Sequence, residues 1–206
     1  MYTPAHFLVN DPARIAALIR AHSFGVLVTT GAEGLQASHL PFLFDPAAGP
    51  HGTLSAHLAR ANGQWREFNG AEVLVIFQGE HGYISPTWFA TQPAVPTWNY
   101  ESVHAYGVPR IVPEGPDATA ILDATVRHYE RADSAYALDA LPAGYVEKMS
   151  RAIVAFEIPL ARVEAKSKLS QNRSREDVIG VVRALEAAGN AESSRLAAAM
   201  RREHGL

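Results

Sequence analysis

The chain has 206 residues, a hydrophobic fraction of 48% and a formal net charge of −3 at pH 7. This length suits one main domain with a buried core, and the slight acidic balance excludes the broad basic surface that non-specific DNA binding needs. Because the chain has no cysteine, disulfides, thiolate nucleophiles and cysteine-ligated metal or iron–sulfur sites are excluded. Any redox chemistry therefore requires a bound cofactor.

The start of the chain, MYTPAHFLVNDPARIAAL, lacks the basic region and apolar run of a signal peptide. No stretch reaches the roughly 18 apolar residues that a membrane-spanning helix needs. We therefore expect a soluble protein of the cytoplasm that makes no membrane contact.

The first half of the chain predicts one helix followed by strands. NDPARIAALIRAHS has the spacing of an amphipathic helix, with Asn10 or Asp11 as its cap and Pro12 in the first turn. FGVLVTT, LQASHLPFLFD and TLSAHL, separated by turns at GAEG and PAAGPHG, predict three strands of an antiparallel meander. NGQWREF predicts a short helix, and EVLVIFQ predicts another strand that ends in a turn at GEHG.

The second half predicts more strands and a helical end. YISPTWF and TWNYESVHAYGVPRIV predict strands joined by the loop ATQPAVP, and AIVAFEIP predicts a later one. DATAILDATVRHYERA and PAGYVEKMS predict two helices between them. Ser174 and Asp177 resemble a capping box that introduces DVIGVVRALEAAGN and ESSRLAAAMRRE, a terminal helix pair. Six or more short strands with scattered helices favour an α+β class centred on an antiparallel barrel over a doubly wound sheet.

Common enzyme motifs are absent from the sequence. It has no G-x-G-x-x-G, G-x-x-x-x-G-K-[ST], H-E-x-x-H or G-x-S-x-G pattern, which disfavours a Rossmann domain, a P-loop, a zincin and an α/β-hydrolase. The nine histidines are dispersed, and pairs such as His51 with His57 match no familiar ligand spacing. We therefore expect no metal site.

Polar residues interrupt two neighbouring predicted strands. Arg60 and Asn62 stand where TLSAHL ends, and Ser38 and His39 lie inside the apolar ASHLPF, which Pro41 restricts to an edge or a bulge. One interpretation is an anion cradle, made by Arg60 and the backbone N–H groups of the following helix. The other is that Asn62 is an N-cap and Arg60 a surface residue. Two interruptions in adjacent strands favour a shared pocket.

The densest basic stretch is RVEAKSKLSQNRSR, in which five cationic side chains face one acid, Glu164. Cations mixed with serine, glutamine and asparagine suit a phosphate or polyol ligand. The alternative is a solvated edge strand protected by lysines, with a helix cap behind it.

Eight segments of the chain resemble the PaiB family, described as FMN-binding negative transcriptional regulators. They are MYTPAHF, SFGVLVTT, ASHLPF, GTLSAHLARANGQW, VLVIFQGEHGYISPTWF, VPTWNYESVHAYG, AIVAFEIP and KLSQNR, in order from the first residue to about Arg175. The resemblance implies an antiparallel split β-barrel related to pyridoxamine 5′-phosphate oxidases, usually a homodimer with FMN at the subunit interface. We thus expect an FMN-binding split-barrel domain over residues 1–174, with peripheral helices, and a C-terminal helical extension over residues 175–206.

By position, the resemblance also implies an FMN site, and it leaves the catalytic residues unassigned. Arg60 would be the phosphate partner, with His57 and Asn62 nearby. Ser38, His39 and Leu40 would lie along the isoalloxazine ring or the ribityl chain. The site would be closed, from the second subunit as one alternative, by Lys168, Ser170, Gln171 and Asn172. The related oxidases have a turn like S-R-K where this chain has Ala59-Arg60-Ala61, so KLSQNR would have to replace two phosphate partners.

The resemblance implies a negative transcriptional regulator or a flavin-dependent sensor. An FMN-dependent oxidoreductase on a small substrate is the alternative, with His39 or Tyr83 as proton donor. A third alternative is a dimeric interaction module that has lost its cofactor. The terminal helices have a helix-turn-helix outline, with Gly189 and Asn190 at the turn. The second helix offers only three arginines and has an apolar face suited to packing, which argues against a recognition helix. Direct DNA binding is therefore kept only as an alternative.

Overall fold

A computed structural model describes residues 1–32 and 34–206 of the chain. The strands are β1 (Leu8–Val9), β2 (Phe24–Gly31), β3 (Gly34–Pro41), β4 (Leu43–Asp45), β5 (Thr53–Ala59), β6 (Val73–Ile84), β7 (Thr97–Gly107), β8 (Arg110–Ile111) and β9 (Ile153–Lys168). The α-helices are α1 (Pro12–Ala21), α2 (Pro116–Tyr129), α3 (Tyr145–Ser150), α4 (Arg175–Ala187) and α5 (Ala191–His204). Short 3₁₀ turns are Ala5–Phe7, Gly63–Glu67, Pro86–Trp88 and Leu138–Ala140. The predicted α+β class is confirmed, and the predicted turn GAEG contains Glu33, which lies outside the described residues.

The strands follow the order β3-β2-β6-β7-β9-β5-β4, with β1 and β8 each paired to β9. The two ends of this path, β3 and β4, are separated in sequence by Phe42, whose side chain is buried. The predicted strand LQASHLPFLFD is therefore two strands: β3 pairs with β2, where Val26 faces His39, and β4 pairs with β5, where Leu43 faces Ser55. The break at Phe42 lets one segment pair with two different strands, β2 and β5, as in a split barrel. The predicted antiparallel meander is confirmed, except that its middle strand is divided into β3 and β4.

Three strand predictions are wrong in extent. YISPTWF is not a separate strand, because Tyr83 and Ile84 end β6 and Pro86–Trp88 forms a 3₁₀ turn. The predicted turn at GEHG is absent, because β6 continues through it to Ile84 and only then meets a 3₁₀ turn. Strand β9 continues past AIVAFEIP through the basic stretch to Lys168. There it pairs with β1, with Leu8 opposite Lys166, and Lys166 and Ser167 are buried. The interpretation of this stretch as a solvated edge strand is therefore wrong.

The described chain forms two compact units. Unit 1 contains residues 1–18, 78–103 and 164–206, and unit 2 contains residues 19–77 and 104–163. In unit 1, the predicted cap is confirmed, because Ser174 Oγ accepts a hydrogen bond from the Asp177 N–H at 3.1 Å. The buried faces of α4 and α5 join a cluster with Ile84, Phe89 and Leu169. The boundary between a barrel domain and a helical extension at residue 174 stays a prediction.

The core of unit 2 is aromatic. Phe42 lies edge-on to Phe77 and to Phe156, with ring centroids 5.7 and 6.4 Å away. Such edge contacts add to the burial energy of the rings. This core supports β5 and the turn that follows it. In the described part of the chain, no helix is long and apolar enough to cross a membrane.

Candidate functional site

The turn after β5 connects two strands of unit 2 through Asn62. Its side-chain oxygen accepts a hydrogen bond from the Gln64 N–H at 3.1 Å, so the N-cap interpretation is confirmed. Its amide group also donates to Ser38 Oγ at 2.9 Å. The structure therefore brings together Ser38 and Asn62, two of the residues predicted to contact FMN.

Arg60 is anchored by main-chain groups around the start of β9. Its Nε donates to the Arg151 carbonyl at 2.7 Å, and its Nη2 donates to the Ile153 carbonyl at 2.8 Å. The same Nη2 pairs with Glu114 Oε1 at 2.5 Å. Among the described residues, Nη1 has no partner, and the side chain is 41% exposed. Arg60 can thus donate to a phosphate from Nη1 without any rearrangement. If Glu114 moved away, Nη2 could donate to the phosphate as well.

Two buried side-chain atoms near this turn lack a hydrogen-bond partner within residues 1–32 and 34–206. They are Gln64 Oε1 and His57 Nδ1. The Gln64 amide is held in one orientation, because Nε2 donates to the Leu27 carbonyl at 3.2 Å and the Gln36 carbonyl at 3.3 Å. Burial lowers the pKa of His57, which favours the neutral imidazole. A buried atom without a partner costs free energy. Protein covers both atoms, so a ligand or water reaches them only after neighbouring side chains move.

The three predicted residues of β3 do not share one environment. Ser38 is half-buried and faces the turn through Asn62. His39 is exposed and stacks on Phe24, with ring centroids 6.1 Å apart. Leu40 is buried. Because neighbouring side chains of a strand point to opposite faces, Ser38 and His39 cannot both contact one ligand on the turn side.

The other predicted residues lie in unit 1, at the end of β9. Ser170 is buried, accepts a hydrogen bond from Asn99 Nδ2 at 2.9 Å and has a positive φ of 72°. Gln171 closes the turn on itself, since Oε1 accepts from the Leu169 N–H at 2.7 Å and Nε2 donates to the Ser167 carbonyl at 2.6 Å. These two residues therefore shape the turn. Lys168 is half-buried and Asn172 is exposed.

The polar groups of unit 2 fit FMN. A phosphate needs donors, which Arg60 Nη1 supplies. Ribityl hydroxyls can pair with the hydroxyl of Ser38, which is half-buried and held by Asn62. His57 Nδ1 and Gln64 Oε1 are covered by protein and offer a bound flavin no accessible surface. The carboxylate of Glu114 would repel the phosphate and compete with it for Arg60. Bound FMN would supply the redox chemistry.

Sequence reasoning missed Gln64 and Glu114. Gln64 stands two residues after the cap, and this position alone did not indicate that its side chain is buried. Glu114 follows β8 and reaches Arg60 through the fold, with no signal near either residue. In the described part of the chain, no group of three or more metal-binding side chains is placed to hold an ion.

Comparisons with known proteins show the family of the chain and its cofactor. Residues 1–162 match the family model described as "Putative FMN-binding domain". The chain is 34% identical over 201 residues to "Protease synthase and sporulation protein PAI 2" of Bacillus subtilis (strain 168), covering 97% of this chain and 96% of that protein.

Two solved structures show the same fold at low identity. The conserved hypothetical protein Rv2991 from Mycobacterium tuberculosis has a TM-score of 0.59 at 16% identity, covering 85% of this chain and 95% of that one. The flavocytochrome Anf3 from Azotobacter vinelandii has a TM-score of 0.58 at 12% identity, covering 84% and 75%. The fold, the polar turn after β5, the family model and the Bacillus relative lead to one conclusion. The chain belongs to the PaiB family of FMN-binding split-barrel proteins.

Proposed function

We propose that this protein is a flavin-dependent sensor that takes part in negative regulation of transcription in the cytoplasm. The observation that carries the flavin part is Arg60 at the β5 turn, which is 41% exposed and whose Nη1 has no partner among the described residues. In this proposal Arg60 and Asn62 receive the FMN phosphate. Ser38 and His57 contact the ribityl chain, and Leu40 lies on the same face of β3 as Ser38. His39 lies on the opposite face of β3, beside Phe24. A second copy of the chain reaches the flavin with Lys168 and Asn172, while Ser170 and Gln171 hold the turn that carries them.

A homodimer is part of the proposal. One face of the sheet β3–β2–β6 in unit 2 is apolar and accessible: Phe24 is 64% exposed and Leu35 is 76% exposed. On β2 the same face carries Val26 and Val28, which are half-buried. A contiguous exposed apolar face of this kind is typical of protein interfaces. The PaiB resemblance implies a second copy as its occupant.

Sedimentation analysis tests the dimer. Leu35→Glu should shift the protein to a monomer, because a buried charge at the interface is costly. Tyr136→Glu replaces another exposed apolar residue, 49% exposed, and should leave the mass unchanged. A wild-type monomer, or equal behaviour of both variants, would contradict the dimer.

The regulatory part is supported by the Bacillus relative, which is named for protease synthesis and sporulation, programmes that cells control. Helix α5 is poorly suited to read DNA. Its apolar residues Leu196 and Met200 are fully buried, and Arg195 and Arg201 pair with Glu80 and Glu186. We therefore favour regulation through contacts with another protein over regulation by direct DNA binding. A salt-dependent gel shift with promoter DNA would reverse that order.

An FMN-dependent oxidoreductase remains the second candidate. The observation in its favour is that two side chains able to carry a proton, His39 and Tyr83, are exposed. NADH or NADPH added without oxygen discriminates the two functions. Rapid bleaching of the bound flavin favours the oxidoreductase, and a flavin that bleaches only with a chemical reductant favours the sensor.

A further inference from the structure

Unit 1 contains a buried lysine without a counter-ion. Lys166 on β9 is 6% exposed, and its ammonium group donates to the Tyr2 carbonyl at 3.2 Å. Aromatic rings surround it, with the centroid of Tyr100 at 5.0 Å and that of Phe7 at 5.9 Å. No carboxylate of the described chain pairs with it. Buried lysines are rare unless paired, because removing the charge from water is costly.

A second cation lies beside the first. Lys168 follows two residues later on β9, so its side chain leaves the same face of the strand. Its ammonium group is also 5.9 Å from the Phe7 centroid, and it donates to Thr97 Oγ1 and the Trp98 carbonyl, both at 2.5 Å. Burial lowers the pKa of Lys168, and the charges of Lys166 and Arg173 lower it further.

Three cations therefore gather in one place, and within residues 1–32 and 34–206 none of them pairs with an acid. Arg173 instead stacks over Phe89, with 4.3 Å to the ring centroid. Most arginines elsewhere are compensated: carboxylates pair with Arg14, Arg60, Arg110, Arg127, Arg131, Arg162, Arg195 and Arg201. In the described part of the chain, these carboxylates are therefore placed at other cations and not at this group of three.

The two ammonium groups also have donors to spare. An ammonium group has three N–H bonds. Lys166 uses one and Lys168 uses two on acceptors in the described chain. An anion between them would take the remaining donors and cancel the like-charge repulsion that lowers the pKa of Lys168.

We propose that Lys166, Lys168 and Arg173 receive the carboxylate of a small aromatic acid, which acts as a second ligand beside the flavin. A carboxylate is favoured over a phosphate, because a doubly charged group would lose more hydration energy at a site this buried. An aromatic body is favoured because Tyr100 borders Lys166 and because Trp98, whose carbonyl accepts from Lys168, is 53% exposed. The Trp98 ring already contacts His81 and Tyr83, so the ligand would join an aromatic cluster. The inference rests on the proposed function in one respect, namely that Lys168 borders the flavin of a second copy without holding its phosphate, which Arg60 receives.

Calorimetric titration of the FMN-loaded protein with benzoate tests the proposal, with benzamide as the neutral compound of nearly the same shape. Benzoate should bind and benzamide should not. Lys166→Met and Lys168→Met should each weaken benzoate binding by about 10- to 100-fold, the usual loss for a charge-assisted hydrogen bond. The chain has one other lysine, the exposed Lys148 on α3. Lys148→Met is therefore a matched control that should bind as wild type does.

Three results would overturn the proposal. One is equal binding of benzoate and benzamide. Another is unchanged benzoate affinity in the Lys168→Met variant. Because Lys168 is only half-buried, this variant keeps the test valid if Lys166→Met does not fold. The third is competition between benzoate and FMN, which would assign these cations to the flavin phosphate. A separate titration of the flavin-free protein distinguishes the two proposals. If benzoate binds and FMN does not, the proposed function fails and the aromatic-acid site stands.

Discussion

Arg60 in unit 2 and Lys166 in unit 1 are cations with opposite surroundings. Arg60 is 41% exposed and holds two carbonyl groups and the carboxylate of Glu114. Lys166 is 6% exposed and meets one carbonyl group and aromatic rings. The fold has therefore already compensated one charge and left the other without a counter-ion among the described residues. The comparison teaches that the partners of a cation decide how many donors it keeps for an anion. Arg60 keeps Nη1 for a phosphate, whereas Lys166 keeps two of its three N–H bonds.

The largest expected effect concerns Arg60 and FMN. Arg60→Ala should weaken FMN binding by about 1.5–3 kcal/mol, because it removes a charge-assisted hydrogen bond to the phosphate. Quenching of flavin fluorescence measures the affinity. Arg110→Ala is the control, since Arg110 is an exposed partner of Glu157 in the same unit and has no proposed contact with FMN. Equal affinities in the two variants would remove Arg60 from the site.

Methionine substitutions should affect stability in opposite directions at the two cations. Arg60→Met should lower the free energy of unfolding by about 1 kcal/mol, because the Arg151 and Ile153 carbonyls lose a donor. Lys166→Met should raise it by about 1 kcal/mol, because a buried charge without a counter-ion is replaced by an apolar chain of similar length. Urea unfolding of the ligand-free protein measures both. A loss of stability in Lys166→Met would mean that the aromatic rings alone compensate the lysine.

A smaller effect is expected at Glu114. Glu114→Gln should strengthen FMN binding by less than about 1 kcal/mol, because an exposed ion pair that competes with the phosphate is removed. The same fluorescence titration measures it, and the benefit should disappear in the Arg60→Ala background. Weaker binding in Glu114→Gln would show that the carboxylate positions Arg60 instead of competing for it.

The smallest effect is the pH dependence from His57. Burial lowers its pKa in the folded protein below the usual 6.5. Above that value both states are neutral, and His57 contributes no pH dependence. As the pH falls through 6.5, the unfolded chain takes up a proton that the folded protein resists, so stability should decrease. Urea unfolding of His57→Gln at pH values on both sides should show a flatter dependence than wild type, whereas the exposed His51→Gln should not.

Local signals predicted most of the fold. The caps at Asn62 and Ser174 hold as predicted, because a cap depends on residues a few positions apart. The prediction of a turn at GEHG was wrong. Its second glycine, Gly82, lies within β6, where a Cβ would lie 2.8 Å from the side chain of Leu196 on α5. The glycine makes room for a helix more than a hundred residues later in the chain, which local patterns do not show.

The sequence indicated which residues lie at the candidate site, but not which of their side chains are bonded to one another. The sequence identified Arg60, Asn62 and Ser38 as one polar group, and two of them are hydrogen-bonded. It did not show that Glu114 neutralises Arg60, because that contact joins segments far apart in sequence. The burial of Lys166 likewise arises from the pairing of β9 with β1. Long-range pairing decides which charges are compensated.

The most direct test is a titration of purified wild-type protein and Arg60→Ala with FMN, followed by visible absorbance and melting temperature. The wild type should be yellow, and FMN at about 100 times its dissociation constant should add about 2.7 kcal/mol of stability. Arg60→Ala should lose most of that gain at the same FMN concentration. A yellow wild type whose melting shift is fully kept in Arg60→Ala would contradict the β5 turn as the phosphate site.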